Sequence, residues 1–436
     1  MMNPKNIAVI GGGCAGLAAA TKLAEQGIAV TLFEASPQLG GRARGVDWKN
    51  LRLDNGQHIL LGAYAETLRL MALAGVDQKQ ALLRLPLQIT MQGHFELSTS
   101  NYLPAPLHIL AGLLGAKGLS LSERLAALRL MVWMRLKGFK LVEDEPLASL
   151  LLRKRQSTRA TKLLWEPLCL AALNTPLATA SGQVFLNMLR DSFARTSADS
   201  DMLLPRYDLS ALLAEPLAAY IAANGGNIKA NNPVQKVQQA EDGFLVECAD
   251  GTTTHFDQVI IAVSPFRLAD VVSDLPQMAA ASALCAKFSY QPIYTVYLQY
   301  AAEVKLSQPM TGLADGFAQW VFDRGALCGQ HGLLSVIVSA EGPHQKLTQE
   351  ELAIAVTKEL SAAFPHLPEP LWHKVIAEKR ATFACTAGLQ RPQQKTTLPG
   401  LYLAGDYTAG DYPATIEGAV RSGLQCANAI IADSNI

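Results

Sequence analysis

The sequence predicts an α/β protein in two parts: a doubly wound parallel sheet assembled from separate stretches of the chain, and an inserted α+β part. Residues 6–10 and 29–33 are short apolar strands, joined by a glycine-rich turn and a helix from about Leu17 to Gln26, and together they form a βαβ unit. Strand signals of the same kind return at 258–263 and 400–404. One sheet therefore collects segments from the beginning, middle and end of the chain.

The turn after the first strand has the pattern G-x-G-x-x-G, at Gly11, Gly13 and Gly16, and the second strand ends on Glu34. Gly11 permits the tight turn, Gly13 lets backbone approach a pyrophosphate, and Gly16 lets the helix pack closely on the strand. The helix N-terminus attracts an anion, and Glu34 can accept both hydroxyls of a ribose that carries no 2′-phosphate. The turn therefore predicts a Rossmann-type site for NAD or FAD, the alternative being a tight glycine turn in an ordinary α/β protein.

A second turn, Gly40-Gly41-Arg42, follows, with Arg42 eight residues after Glu34. It can bring backbone and a guanidinium against the same pyrophosphate, because the guanidinium fork matches phosphate oxygens. The arrangement resembles the flavoprotein version of the fingerprint. It favours FAD over NAD.

Length and composition limit the possible classes of protein. A chain of 436 residues exceeds one ordinary core, so we expect two domains. The expected FAD-binding domain comprises 1–81, 201–265 and 379–436, and the expected substrate-binding domain comprises 82–200 and 266–378. The 37 basic and 37 acidic residues cancel, so no global charge attracts nucleic acid.

The cysteines and the apolar runs suggest a compartment. Seven scattered cysteines indicate buried thiols in a reducing compartment, with neither a disulfide framework nor a metal site. No apolar run reaches 18 residues and no signal peptide is recognised, so we expect a cytoplasmic protein.

The region 104–162 departs from the neutral charge balance of the whole chain. Between Lys117 and Lys162 there are 11 Lys/Arg and only four Asp/Glu, a local excess of +7, on apolar helical patterns that include Trp133. Basic amphipathic helices suit the surface of an anionic bilayer. On the pattern alone, a helical subdomain that packs on its own core and exposes a basic face to solvent is an equal alternative to the membrane-binding interpretation.

Three further stretches are expected at the cofactor. Gly405-Asp406 follows a buried strand, where the carboxylate could hold ribityl hydroxyls. Residues 413–419 open the final helix, expected from about 415 to 431, whose N-terminus would stabilise an anionic reduced ring. Residues 51–75 are expected to form a turn entering a helix. Within them, 54–58 (DNGQH) is expected to start that helix and places a glycine where a flavin face could be approached.

Several longer strings resemble one family, the bacterial hydroxysqualene dehydroxylases of the amine-oxidase/phytoene-desaturase superfamily. The strings are DNGQHILLGAY (54–64), WEPLCLAALNTP (165–176), LRDSF (189–193), RYDLSALLAEPL (206–217), QWVFDR (319–324) and LAGDYTAGDYPATIEGAVRSG (403–423). The resemblance runs along essentially the whole chain. The nucleotide motifs identify only the superfamily, whereas the strings at 54–64, 165–176 and 206–217 point to the narrower group.

The resemblance implies reductive removal of a hydroxyl from hydroxysqualene, a C30 isoprenoid, with FADH₂ as hydride donor, in hopanoid or sterol-precursor biosynthesis. Prenyl synthases would supply the alcohol, NADPH or a reductase would supply electrons, and the lipid substrate favours a protein peripheral to the inner face of the plasma membrane. The implied cofactor contacts are Gly11, Gly13, Cys14, Ala15, Gly16, Glu34, Gly41, Arg42, Gly56, Gln57, His58, Val234, Gly405, Asp406, Thr415 and Ile416.

An allylic alcohol leaves as water only if it is protonated, so a proton donor is needed. His58 is the first candidate because imidazole titrates near neutral pH; its alternative role is a hydrogen bond to cofactor or backbone. Asp191, Asp411 and Glu417 are the others, although Asp191 could pair with Arg190 and Glu417 could cap its helix. An oxidative polyene desaturase or an amine oxidase is the enzymatic alternative, and a flavin-binding carrier the non-enzymatic one.

Overall fold

A computed structural model describes residues 5–100 and 102–434, along which strands and helices alternate. The strands are β1 (Asn6–Ile10), β2 (Ala29–Phe33), β3 (Gly45–Trp48), β4 (Leu51–Asp54), β5 (Leu60–Leu61), β6 (Leu82–Leu85), β7 (Gln88–Met91), β8 (Phe95–Ser98), β9 (Met202–Pro205), β10 (Asn227–Lys229), β11 (Val234–Ala240), β12 (Gly243–Cys248), β13 (Thr253–Phe256), β14 (Gln258–Ile261), β15 (Tyr290–Gln299), β16 (Met310–Gly312), β17 (Trp320–Asp323), β18 (Leu333–Ser339), β19 (Trp372–Phe383) and β20 (Leu401–Leu403).

The helices cluster after β1, between β8 and β9, and at the end of the chain. They are α1 (Cys14–Glu25), α2 (Ala65–Leu73), α3 (Gln78–Ala81), α4 (Leu107–Gly115), α5 (Leu121–Leu136), α6 (Leu147–Arg153), α7 (Thr158–Ala160), α8 (Glu166–Leu173), α9 (Gly182–Phe193), α10 (Glu215–Ala223), α11 (Leu268–Val271), α12 (Ala279–Ala286), α13 (Arg324–Cys328), α14 (Gln349–Ala363) and α15 (Ile416–Ser434). Thr161–Trp165 and Ser210–Ala214 are π-helical and lead directly into α8 and α10.

A five-stranded parallel sheet with the order β10-β2-β1-β14-β20 forms the nucleotide-binding part. Its strands come from the beginning, middle and end of the chain, which confirms the predicted discontinuous α/β architecture. Helices α1 and α15 pack against each other beside this sheet. They are so close that a Cβ on Gly423 of α15 would lie 2.0 Å from the carbonyl oxygen of Ala15 in α1. The carboxyl ends of β1 and β20 both lead to a helix N-terminus, and in such sheets ligands bind outside this edge.

A seven-stranded mixed sheet with the order β19-β15-β18-β17-β16-β7-β8 forms the second part. Neighbouring strands are antiparallel except β16 and β7. Residues of α14 such as Leu352 and Val356 pack on Val296 and Leu298 of β15 in one core cluster. The predicted α+β part with a mixed sheet is thus confirmed, and the predicted helical region is present as α4–α9.

Two predicted elements differ from the structure. Helix α1 begins at Cys14, three residues before the expected start, because Gly13 is extended (φ −76°, ψ −177°) and serves as its N-cap. Residues 54–58 do not start a helix. Asp54 ends strand β4 and the following five residues are irregular up to β5, so the helix expected within 51–75 begins only at Ala65.

The expected domain limits at 81/82 and 200/201 fall beside strands that pair with one another. Strands β6 and β9 form a small antiparallel sheet with β5, with Leu83 opposite Leu204. Strand β19 also continues past 378 because it follows β15 as far as Phe383. The division into two domains with those limits remains a proposal.

Candidate cofactor and active site

The first glycine turn is shaped by close backbone packing on one side and open space on the other. A Cβ on Gly16 would lie 1.8 Å from the Gly11 carbonyl oxygen, and Gly11 itself has φ +112°. At Gly13, by contrast, nothing lies within 4 Å of the position that a Cβ would occupy. The turn is therefore tight where helix meets strand and open at the helix N-terminus, where backbone N–H groups have no intrahelical acceptor.

Cys14 and Ala15 form the first turn of α1, beyond an N-cap glycine that supplies no side-chain acceptor. Their position at the N-terminus is the one expected for backbone contacts to an anion. Burial raises the pKa of the Cys14 thiol to about 11, an effect that the nearby Arg42 only partly offsets. The thiol therefore stays protonated at neutral pH.

Glu34 lies directly beside this turn. Its carboxylate accepts the Gly12 N–H at 2.7 Å and the Ser36 N–H at 2.8 Å. The Asn232 N–H donates to the Glu34 carbonyl, which brings the start of β11, and with it Val234, alongside. Glu34, the expected ribose ligand, and Val234, another cofactor contact that the resemblance implies, are thus neighbours in space.

The Gly40-Gly41-Arg42 turn folds onto the first glycine turn. The Gly40 N–H donates to the Gly12 carbonyl at 2.8 Å, and a Cβ on Gly41 would lie 3.3 Å from the Cα of Gly13. Arg42 then donates to Asp406 Oδ2 at 2.7 Å and to the Ala381 carbonyl at 2.6 Å. The Gly40-Gly41-Arg42 turn and the Gly405-Asp406 motif are therefore joined by an ion pair.

The other cofactor motif lies at the N-terminus of α15. Gly405 has φ +156°, which only glycine adopts readily, and its N–H donates to Ser422 Oγ at 2.9 Å. Thr415 Oγ1 caps the helix by accepting the Gly418 N–H at 3.1 Å, and Ile416 is its first residue. With a helix N-terminus at each end and the Glu34 carboxylate beside the first glycine turn, these residues fit an extended dinucleotide such as FAD.

Glu417, a candidate proton donor, is fully buried and surrounded by donors. It accepts hydrogen bonds from the Glu66 and Thr67 N–H groups, the Thr67 hydroxyl and Arg421, at 2.7–3.2 Å. These contacts cap the N-terminus of α2, a different helix from its own. Both carboxylate oxygens are occupied, which does not support the prediction that Glu417 donates a proton.

Asp191 and Asp411 are linked through Arg190, which donates to them at 2.7 Å and 3.0 Å. Tyr412 also donates to Asp191, at 2.8 Å. Burial alone would raise the pKa of the Asp191 carboxyl, but the hydrogen bonds from Arg190 and Tyr412 outweigh it and hold the pKa below its usual range. Asp191 is therefore ionised. The Asp411 side chain is 62% exposed beside a surface cleft of about 680 Å³.

His58 lies deep in the molecule with part of its surface accessible. Its Nδ1 is 2.6 Å from the Gly56 carbonyl oxygen, which can only accept, so Nδ1 carries a hydrogen and Nε2 faces away from this contact. Burial lowers the pKa of His58 below 6.5, although the Gly56 carbonyl and Asp54 partly offset this. The neutral imidazole therefore predominates at pH 7.

The segment 54–58 is held by residues that sequence reasoning did not select. Arg324 Nη1 donates to Asp54 Oδ2 at 3.2 Å and to Gln57 Oε1 at 3.1 Å, and the Tyr297 hydroxyl bonds both backbone groups of Asp54. A fully buried arginine at a strand end is costly unless it is paired. The sequence signal for this contact was Arg324 at the end of the apolar segment QWVFDR, because a buried charge needs a partner.

Comparisons with known proteins agree with this geometry. The model of the family "Flavin containing amine oxidoreductase" matches residues 14–431. Hydroxysqualene dehydroxylase of Rhodopseudomonas palustris is 29% identical over 98% of this chain and 99% of its own length. The 15-cis-phytoene desaturase of Solanum lycopersicum is 26% identical over 99% of this chain and 78% of its own length. A solved oxidoreductase from Methanosarcina mazei superposes with a TM-score of 0.74 at 17% identity, over 97% of this chain and 100% of that one.

Proposed function

We propose that this chain, a flavin-dependent enzyme that belongs to the flavin containing amine oxidoreductase family and binds FAD, removes the hydroxyl group of hydroxysqualene reductively to give squalene. The observation that carries the proposal is the end-to-end match to hydroxysqualene dehydroxylase, at 29% identity over 99% of that protein. The strings around 54–64 and 319–324 that suggested this group also build the Asp54–Arg324 site. We place the reaction in hopanoid or sterol-precursor biosynthesis, after the prenyl synthases that make the alcohol.

Bound FAD, in its reduced form, supplies a hydride to the carbon that loses oxygen. The protein must hold the alcohol, exclude other water and deliver one proton to the leaving oxygen. The C–O bond then breaks with its electron pair on oxygen, and the oxygen leaves as water. The electrons come from NADPH directly or from a separate reductase. Reduction of the enzyme by NADPH alone would show that no reductase is needed.

His58 is the residue that we propose as proton donor. The Nδ1 hydrogen bond to Gly56 fixes the ring and turns Nε2 away from the backbone. Because burial lowers the pKa of His58, the protonated form is a minority at pH 7 and becomes the major form as the pH falls. Asp191 is ionised and Glu417 is fully occupied, so neither competes for this role.

An apolar stripe on the surface of α5 supports a substrate dissolved in lipid. Leu121, Leu125, Val132 and Leu136 are all exposed and fall on one face of the helix, opposite the buried Leu130. Within the described residues, nine of the 13 exposed large apolar side chains lie between 102 and 152. Trp133 is covered by the Lys154 ammonium, 3.6 Å from the ring centroid.

We propose that this stripe docks on an anionic bilayer at the inner face of the plasma membrane. The helix lies within the segment 117–162 that carries the basic excess, and the combination of apolar contact and positive charge suits such a surface. No helix among the described residues is long and apolar enough to cross a membrane.

The experiment that tests the function compares three substrates. FAD-loaded protein is given hydroxysqualene with a reductant, and phytoene or a primary amine with an electron acceptor, and products are identified by mass spectrometry. We expect squalene from hydroxysqualene and no change in the other two. Additional double bonds in phytoene, or an aldehyde from the amine, would contradict the proposal.

Oxidative desaturation of a polyene is the second candidate function. The 26% identity to a phytoene desaturase over 99% of this chain favours it, and the apolar stripe suits that substrate equally. The two reactions differ in the direction of electron flow. The same three-substrate comparison therefore distinguishes them.

A further inference from the structure

The side-chain amide of Gln57 has a fixed orientation. Its oxygen accepts hydrogen bonds from Arg324 Nη1 at 3.1 Å and from Ser335 Oγ at 3.3 Å. The guanidinium of Arg324 can only donate, so the oxygen and not the NH₂ group of Gln57 must face it, and the Ser335 hydroxyl then donates to the same oxygen. The NH₂ group consequently points to the opposite side.

That NH₂ group is free and accessible. Within residues 5–100 and 102–434, neither Gln57 Nε2 nor His58 Nε2 has a hydrogen-bond partner, and neither is sealed inside the protein. Two adjacent residues therefore each carry a polar atom that no other described residue occupies. The Nε2 of Gln57 is a donor, whereas the Nε2 of His58 accepts when the ring is neutral and donates when it is protonated.

The supports beneath these two residues are rigid. Ser335 lies on β18 and pairs with Tyr297 of β15, whose hydroxyl bonds the backbone of Asp54. The Leu209 N–H donates to Asp54 Oδ1 at 2.9 Å, which completes the bonding of that carboxylate. Strands β15 and β18 of the seven-stranded sheet thus hold Asp54 and Gln57 in place through Tyr297 and Ser335.

We propose that Gln57 donates an amide N–H to the oxygen of the substrate hydroxyl, next to the Nε2 of His58, and that Arg324 is the positioning residue for this contact. The inference rests on the proposed function and deepens it by naming what distinguishes an alcohol from a hydrocarbon. A hydroxyl oxygen has two lone pairs, so it can accept from Gln57 and from protonated His58 together. Both contacts favour departure of that oxygen as water.

The test is equilibrium binding without turnover. Oxidised FAD-loaded enzyme in detergent is titrated with hydroxysqualene and, separately, with squalene, and the change in flavin absorbance gives each Kd. A site built for a hydroxyl rejects the analogue that lacks it. We expect the wild type to bind the alcohol at least about 10-fold more tightly, and Gln57→Leu to bind the two within about 2-fold, because one hydrogen bond to a buried group is lost.

Three further variants separate positioning from general damage. Arg324→Lys keeps a donor near Gln57 and should retain most of the alcohol preference, whereas Arg324→Leu should lose it. Gln299→Leu, at the C-terminal end of β15, removes a glutamine amide that bonds only backbone carbonyls among the described contacts and should leave the ratio of the two Kd values unchanged. If Gln57→Leu does not fold, Ser335→Ala, which removes one donor only, should still lower the ratio.

Equal binding of alcohol and hydrocarbon by the wild type would overturn the inference, as would an unchanged ratio in Gln57→Leu. A weaker affinity for FAD in Gln57→Leu, with the ratio unchanged, would instead place the amide on the cofactor and also overturn it. Squalene formation is measured separately, so a wild type that prefers the alcohol but forms no squalene would overturn the proposed function alone.

Discussion

Arg324 and Asp54 form a buried ion pair, with Nη1 3.2 Å from Oδ2 and side-chain exposures of 2% and 5%. Arg324 begins the helix after a strand of the seven-stranded sheet, whereas Asp54 directly precedes the segment that carries Gln57 and His58. Removing one partner of such a pair leaves an uncompensated charge. The pair therefore links the large sheet to the expected active-site segment.

Asp54→Ala should lower the free energy of unfolding by about 3–5 kcal/mol, because it leaves Arg324 buried without its carboxylate. Asp270→Ala is the control, since Asp270 pairs with Arg267 on the surface and should contribute less than about 1 kcal/mol. Urea unfolding followed by far-UV circular dichroism measures both. Equal midpoints for the two variants would contradict the role assigned to the buried pair.

Gly13→Ala should leave the fold intact and weaken FAD binding. Nothing in the protein lies within 4 Å of the added Cβ, so only the bound cofactor would meet it. Gly16→Ala should instead destabilise the protein, because its Cβ would lie 1.8 Å from the Gly11 carbonyl oxygen. Thermal unfolding and FAD titration of the two apoproteins check this contrast. Unchanged FAD affinity in Gly13→Ala would mean that the cofactor does not approach this turn.

Glu34→Ala should lower the affinity for FAD by about 10–100-fold, because it removes a charged acceptor beside the glycine turn. Far-UV circular dichroism should remain that of the wild type. Glu25→Ala is the matched control, since Glu25 pairs with Lys22 at the C-terminal end of α1, away from the glycine turn. A purified Glu34→Ala protein that stays fully yellow would refute the assignment of Glu34.

The reductive step should speed up as the pH falls. Burial lowers the pKa of His58 below 6.5, so the proton-bearing fraction is small at pH 7 and rises until the pH passes below the lowered pKa. Rates of flavin reoxidation between about pH 8 and pH 5 measure this dependence. His58→Gln should slow the reaction by about 100-fold or more and remove the pH-dependent part. A wild-type rate that falls as the pH is lowered would contradict the role of His58 as acid.

Leu136→Asp should weaken binding to anionic vesicles. Leu136 is 81% exposed on the apolar stripe of the helix 121–136, and a carboxylate there would remove apolar contact and add repulsion. Ile354→Asp is the control, because Ile354 is 60% exposed on a helix outside the basic region. Co-sedimentation with vesicles measures both variants. Equal loss of binding in the two would refute the assigned surface.

The nucleotide-binding sheet was predictable because its signals are local. The glycine pattern between two strands and the acidic residue at the end of the second strand lie within about 30 residues of one another, so they can be recognised from the sequence alone. The structure brings Gly12, Glu34 and Gly40 together as expected. The resemblance to known flavoproteins extended this to Arg42 and Asp406, which the structure joins directly.

The proton-donor candidates were harder to rank because their partners are distant in sequence. Glu417 accepts from Thr67, 350 residues away, and Asp191 accepts from Tyr412, 221 residues away. No spacing rule predicts such contacts. Residues 54–58 were expected to start a helix for the same reason, since the bonds that hold Asp54 and Gln57 come from Tyr297 on β15 and from Arg324 at the start of α13.

An anaerobic single turnover tests the central claim most directly. The flavin is reduced, mixed with hydroxysqualene in detergent, and followed at the absorbance band of oxidised flavin while products are extracted. We predict rapid reoxidation with one squalene formed per flavin. Absence of reoxidation, together with bleaching of the oxidised enzyme by a polyene or an amine, would contradict reductive dehydroxylation and assign the chain to oxidative chemistry.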